Sequence, residues 1–197
     1  MNNKEKTERI ISNVDKMREN LQDMRMWKNI PLAKECIQLL KELDSTEETP
    51  MGKALACGAV VAQLPEYDVP RLVLSILRYK LELIQASDEQ DDDLYPTEEE
   101  VRQDILRLED YIDTEHVSVS DFMKKYNRHL RFAAVERTPQ WEDNYYEVEQ
   151  ECDRRLGDTP RGMGFCFGYW STLRTVLEER GIEWQSPHEL NPRVMFD

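Results

Sequence analysis

The chain has 197 residues, 40 of them acidic and 26 basic, for a formal charge of −14 with 40% hydrophobic residues. That length supports one soluble domain or two small ones without metal or disulfide staples, since roughly 70% of the unfolded surface is buried at this size. The absence of an 18-residue apolar run, a polar opening (Met1-Asn2-Asn3-Lys4-Glu5-Lys6) and the surplus of acid argue against a membrane span, a secretory signal and direct nucleic-acid binding; a cytoplasmic location is expected.

Ile10, Val14, Met17, Leu21 and Met24 recur at spacings of 4, 3, 4 and 3, which places a narrow apolar seam on one side of a first long helix. Two heptads are short for a coiled coil, so the helix is expected to lie on its own domain; Ile10, Val14 and Leu21 are the residues that would serve self-association. Asn29 offers a cap, with Pro31 in the first turn, for a second helix carrying Leu32, Cys36, Leu39, Leu40 and Leu43. Thr49-Pro50 reads as an N-cap followed by proline at the first helical position. Residues 53–62 of that third helix are nearly all small or apolar, which lets another helix approach its backbone. Pro65 ends it and Asp68 caps the next, where Val69, Leu72, Val73, Ile76, Leu77, Leu83 and Ile84 form a stripe widened by Leu74 and Leu81. Such a broad stripe marks a central helix.

Residues 87–115 hold 13 acidic side chains against Arg102 and Arg107. Within them, residues 87–96 read as an acidic linker with the run Asp91-Asp92-Asp93, subdividing a single helical domain 1–197 into 1–86 and 97–197. Thr97-Glu98-Glu99-Glu100 is a capping box opening a helix whose apolar face is Val101, Ile105, Leu108 and Ile112. Residues 121–137 are basic instead, with Lys124, Lys125, Arg128, Arg131 and Arg137 around Phe122, Tyr126, Leu130 and Ala134. Antiparallel pairing of an acidic helix with a basic one is expected. Thr138-Pro139 starts a helix with Trp141, Tyr145, Val148, Cys152 and Leu156, which Gly157 stops. The last long helix begins near Gly164 and carries Cys166, Tyr169, Trp170, Leu173, Val176 and Leu177. Ser186-Pro187-His188-Glu189 is a short capping box and Asn191-Pro192 a turn, while Trp184, Leu190, Val194, Met195 and Phe196 are too apolar for a free end. Strand-like alternation is scarce, so the fold expected is all-α, a bundle of about seven or eight helices or two packed halves, with an ordered irregular C-terminal tail.

Chemistry is hard to place in this pattern. Cys36, Cys57, Cys152 and Cys166 form no C-x-x-C pair, His116, His129 and His188 have no metal-ligand spacing, and neither a G-x-S-x-G elbow nor a P-loop occurs. Reduced, mostly buried thiols and no metal or cofactor are expected. The nearest approach to a metal pair is Glu149 with Asp153, one helical turn apart; the fuller acidic pattern of all-α nucleotide pyrophosphatases breaks at Arg102 and at Gln150.

Three surfaces remain as candidates. Arg154, Arg155 and Arg161 stand beside glycines 162, 164 and 168 at a helix start, a cradle for phosphate or carboxylate, although Gly164 and Gly168 would equally permit close packing against Trp170 or Trp184. Trp184, Met195 and Phe196 in the tail are anchors for a partner. Asp91, Asp92, Asp93, Glu98 and Glu99 make an acidic surface suited to a basic groove. The first reading is a non-enzymatic helical interaction or regulatory protein that binds another protein or itself. Its alternatives are an acidic mimic of nucleic acid and a binder or hydrolase of a phosphorylated small molecule at 154–168. The segments GFCFGYW, GIEW and SPHELNP resemble the ends of some small bacterial and phage proteins; the resemblance implies such a source and assigns no residue a role.

Overall fold

A computed structural model describes residues 1–44, 48–87 and 97–196. Among the described residues there is no strand, eight helices reach seven residues or more, and no helix is long and apolar enough to cross a membrane. The chain divides into two compact units, Met1–Glu109 and Asp110–Asp197. The division falls inside a helix that begins at Glu98, not at the acidic segment 87–96.

The first unit comprises α1 (Asn3–Gln22), α2 (Asn29–Glu42), α3 (Pro50–Val61), α4 (Pro70–Gln85) and most of α5 (Glu98–Ile112). α1 packs on α2 and α3 packs on α4. Asn2 starts α1 through a capping box with Glu5. Ile10, Val14 and Met17 are buried, whereas Leu21 and Met24 are exposed where the helix ends. Ile10 and Val14 therefore belong to the interior of their own unit, and of the three residues singled out for self-association Leu21 alone is exposed. Arg9 grips Glu35 of α2 with two bonds of 2.9 and 3.1 Å, and Asn13 adds a third at 2.9 Å.

Two of the expected caps are absent. Asn29 is the first residue of α2 and is wholly buried; its Nδ2 donates to the carbonyls of Met17 (3.0 Å) and Gln63 (2.7 Å), while its Oδ1 accepts from Asn20 (2.8 Å). It ties three segments instead of closing one helix end. Val69 rather than Asp68 precedes α4, with Pro70 at the first position and no side-chain cap. The caps at Thr49, which accepts from Gly52 N, and at Thr97, which exchanges bonds with Glu100, form as the sequence predicts. α4 buries Val73, Leu74, Ile76 and Leu77, as a central helix should. It also buries Lys80, whose Nζ lies 3.1 Å from where a Cβ on Gly58 would stand. The small residues of α3 make room there for a lysine.

The second unit comprises the end of α5, α6 (Val119–Lys125), α7 (Pro139–Leu156), α8 (Phe165–Glu178) and α9 (Pro187–Leu190). The basic stretch is helical only over α6, because Asn127 adopts φ 49 and the chain then runs irregularly to a 3₁₀ turn at Ala134–Arg137. Acid meets base at Asp110, which accepts from Lys125 Nζ (2.5 Å) and Tyr126 Oη (2.7 Å). Arg137 is buried and donates to the carbonyls of Tyr111 (2.5 Å), Asp110 (3.0 Å) and Asp113 (2.8 Å), closing the C-terminal end of α5. α7 and α8 pack around Trp141, Val148, Cys152, Leu173, Val176 and Leu177, with Ile182 and Trp184 completing the cluster.

Candidate functional site

The arginine-glycine segment is built for internal pairing. Arg154 and Arg155 both bind Glu151, Arg155 also binds Glu179 through two bonds of 3.0 and 2.6 Å, and Arg161 binds Asp153 at 2.6 Å while lying over the Phe165 ring. The two arginines hold the Glu151 carboxyl at about 2, well below its ordinary range. Each guanidinium is thus engaged by carboxylate, and an added anion would have to displace one. Gly164 takes φ 79 and precedes α8 with no side-chain cap, but a Cβ at Gly162, Gly164 or Gly168 would meet nothing within 4 Å. The glycines do not admit Trp170 or Trp184; they leave the start of α8 bare.

The other residues of interest fall in separate places. Glu149 accepts from the Tyr169 hydroxyl and Asp153 from Arg161, so the pair one turn apart is drawn to two different donors. Among the described residues no group of three His, Cys, Asp or Glu side chains is placed to hold a metal ion. Asp91, Asp92 and Asp93 lie outside the described residues, while Glu98 accepts from Gln85 and Arg102 and Glu99 from Gln103. Burial pushes the thiols of Cys57 and Cys152 up to about 12 and that of Cys36 to about 11, which suits core residues and not nucleophiles.

Trp184 is not an exposed anchor. It is buried, stacks on Trp141 at 6.4 Å between ring centroids, and donates from Nε1 to Glu136 at 2.7 Å. The remainder of the tail folds back by local chemistry. Ser186 and Glu189 form the capping box of α9, and Asn191 is buried with its amide bonded to both the N–H and the carbonyl of Arg131, at 2.8 and 2.9 Å. Past this clamp, Phe196 reaches the outer side of α8.

What assembles there is a ring of aromatics. Phe167 meets Trp170 edge-on at 5.6 Å and His188 at 5.6 Å; Phe196 meets Trp170 at 5.1 Å and His188 at 6.4 Å. Phe167 is 45% exposed; close by in sequence, Met163 just before α8 is 93% exposed, and Val194 and Met195 just before Phe196 are exposed too, the latter at 91%. An apolar surface of Trp, Phe and Met carries the side chains enriched at protein interfaces, because they bring large contact area at small conformational cost. Met195 and Phe196 were singled out by the sequence. Phe167, Trp170 and His188 were not, because helical spacing placed Trp170 in the core stripe and gave Phe167 no role.

A second concave surface is lined in part by α9. A groove of about 1020 Å³ is lined by Val119, Met123, Phe132, Val135 and Leu190, with charged side chains at its margin. α9 contributes to both surfaces: its His188 joins the aromatic ring and its Glu189 and Leu190 line the groove. Comparison with protein-family models, curated proteins and solved structures finds no match to this chain.

Proposed function

We propose that this protein is a non-enzymatic interaction protein that binds another protein through the aromatic surface of α8 and the C-terminal tail. The observation that carries the reading is the ring of Phe167, Trp170, His188 and Phe196, with Phe167 itself 45% exposed and exposed apolar residues flanking the two segments in sequence. A protein surface seldom leaves such a cluster uncovered, since each buried aromatic anchor contributes on the order of 2 kcal/mol to an interface. The reading is supported from the other side by the arginines of 154–161, each occupied by a carboxylate and so poorly available to a phosphorylated substrate.

The test is capture from native lysate with the intact chain and with a Phe167→Ser, Met195→Ser double variant. Both positions are exposed, so the variant keeps the fold. A stoichiometric protein held by the intact chain and lost by the variant is the expected result. Equal capture by both, or a clean monomer in both, overturns the proposal.

A further inference from the structure

The geometry points to a second docking surface in the groove beside α9, one that takes an amphipathic helical segment of a partner protein carrying lysine or arginine at one end. It is independent of the aromatic surface, so the two readings can fail separately. Its apolar lining includes Val119, Met123, Phe132, Val135 and Leu190. Helix-in-groove docking suits such a lining, and strand addition does not, because no strand edge exists among the described residues.

Charge selects the occupant. Arg174 and Glu189 at the margin bind each other and cancel. Glu178 and Glu183 also line the groove, are exposed, and make no side-chain hydrogen bond or ion pair among the described residues. Glu178 is the last residue of α8, whose carbonyl end adds about half a negative charge at the same place. Arg131 is the one lining cation outside the Arg174–Glu189 pair. The lining charges outside that pair are therefore two carboxylates against one guanidinium, a negative balance, and a chain of charge −14 attracts a basic segment before contact. A partner helix of about three turns would lay its apolar face on Met123, Phe132 and Leu190 and bring its cationic end to the two glutamates.

The experiment uses two labelled synthetic helical peptides with one apolar face in common, one ending in three lysines and the other in three glutamates. Their binding to the full chain is followed by fluorescence anisotropy at low and physiological salt. The lysine peptide is expected to bind about tenfold or more tighter than the glutamate peptide, with the gap narrowing as salt rises. A Glu178→Lys, Glu183→Lys variant, altered only at exposed positions, is expected to reverse that preference, and Met123→Asp to abolish binding of both. Equal affinity for the two peptides, no binding of either, or a preference that survives the charge reversal overturns the inference. The Phe167→Ser, Met195→Ser variant keeps groove binding if the surfaces are distinct, and its loss there would overturn their independence.

Discussion

A residue's chemistry here is set by what encloses it more than by its type. The four thiols illustrate this: Cys36, Cys57 and Cys152 are buried and held far above neutrality, while Cys166 near the start of α8 is half-buried. Iodoacetamide at pH 8 should therefore alkylate Cys166 first in the native chain, and the other three only on unfolding, as read by mass spectrometry. Faster labelling of any of the three would contradict their burial. Glu151 is the opposite case, since side-chain hydrogen bonds from Arg154 and Arg155 lower its pKa to about 2. Its folded value is depressed, so the stabilisation is present above the ordinary glutamate range and is lost as pH falls toward about 2. Carboxyl NMR titration should place its midpoint near that value, and Arg154→Ala with Arg155→Ala should return it to the usual range.

At the scale of elements, the ends of helices carry much of the specificity. Arg137 closes α5 from a turn 26 residues further along the chain, its guanidinium fork reaching three carbonyls at once. Arg137→Met should cost about 3 kcal/mol, because buried carbonyls lose a charged donor that no neighbour replaces. Urea unfolding would show it, and Arg137→Lys should recover only part, since an ammonium is a point donor. The caps at Thr49, Thr97, Thr138 and Ser186 could be read directly, because threonine-proline or serine-proline starts and a glutamate three residues on are local signals. Asn29 misled for a related reason: an amide ahead of an apolar run looks the same whether it caps a helix or, as here, ties distant backbone. Periodicity has a similar blind side. The spacing of Ile10, Val14 and Leu21 reports a face to be covered but not by what or how far; here Ile10 and Val14 are buried in the unit in which α1 packs on α2, and Leu21 is left exposed. Of the candidate sites, Phe196 was legible as an apolar residue that packs against its own unit, although its neighbour Met195 stays 91% exposed. Phe167 was not, because its exposure depends on where the tail returns.

For the whole molecule, charge and apolar surface act against each other. The formal charge of −14 keeps copies of the chain apart at neutral pH, while the aromatic ring and the exposed methionines offer contact. As acid protonates the carboxylates, repulsion fades and the apolar surface stays. Light scattering should show association rising on the acid side of neutrality, and Phe167→Ser with Met195→Ser should hold the chain monomeric to lower pH. Identical curves for both would show that another surface drives association.

The clamp at Asn191 gives the far end of the chain a say over the groove. One asparagine supplies both hydrogen bonds that an adjacent strand would have given Arg131, across a gap of 60 residues. Deleting residues 191–197 would thus release a loop that none of them adjoins in sequence. The groove beside Phe132 would lose its lysine-peptide affinity, while the tryptophan stack of Trp141 and Trp184 kept its near-ultraviolet dichroism.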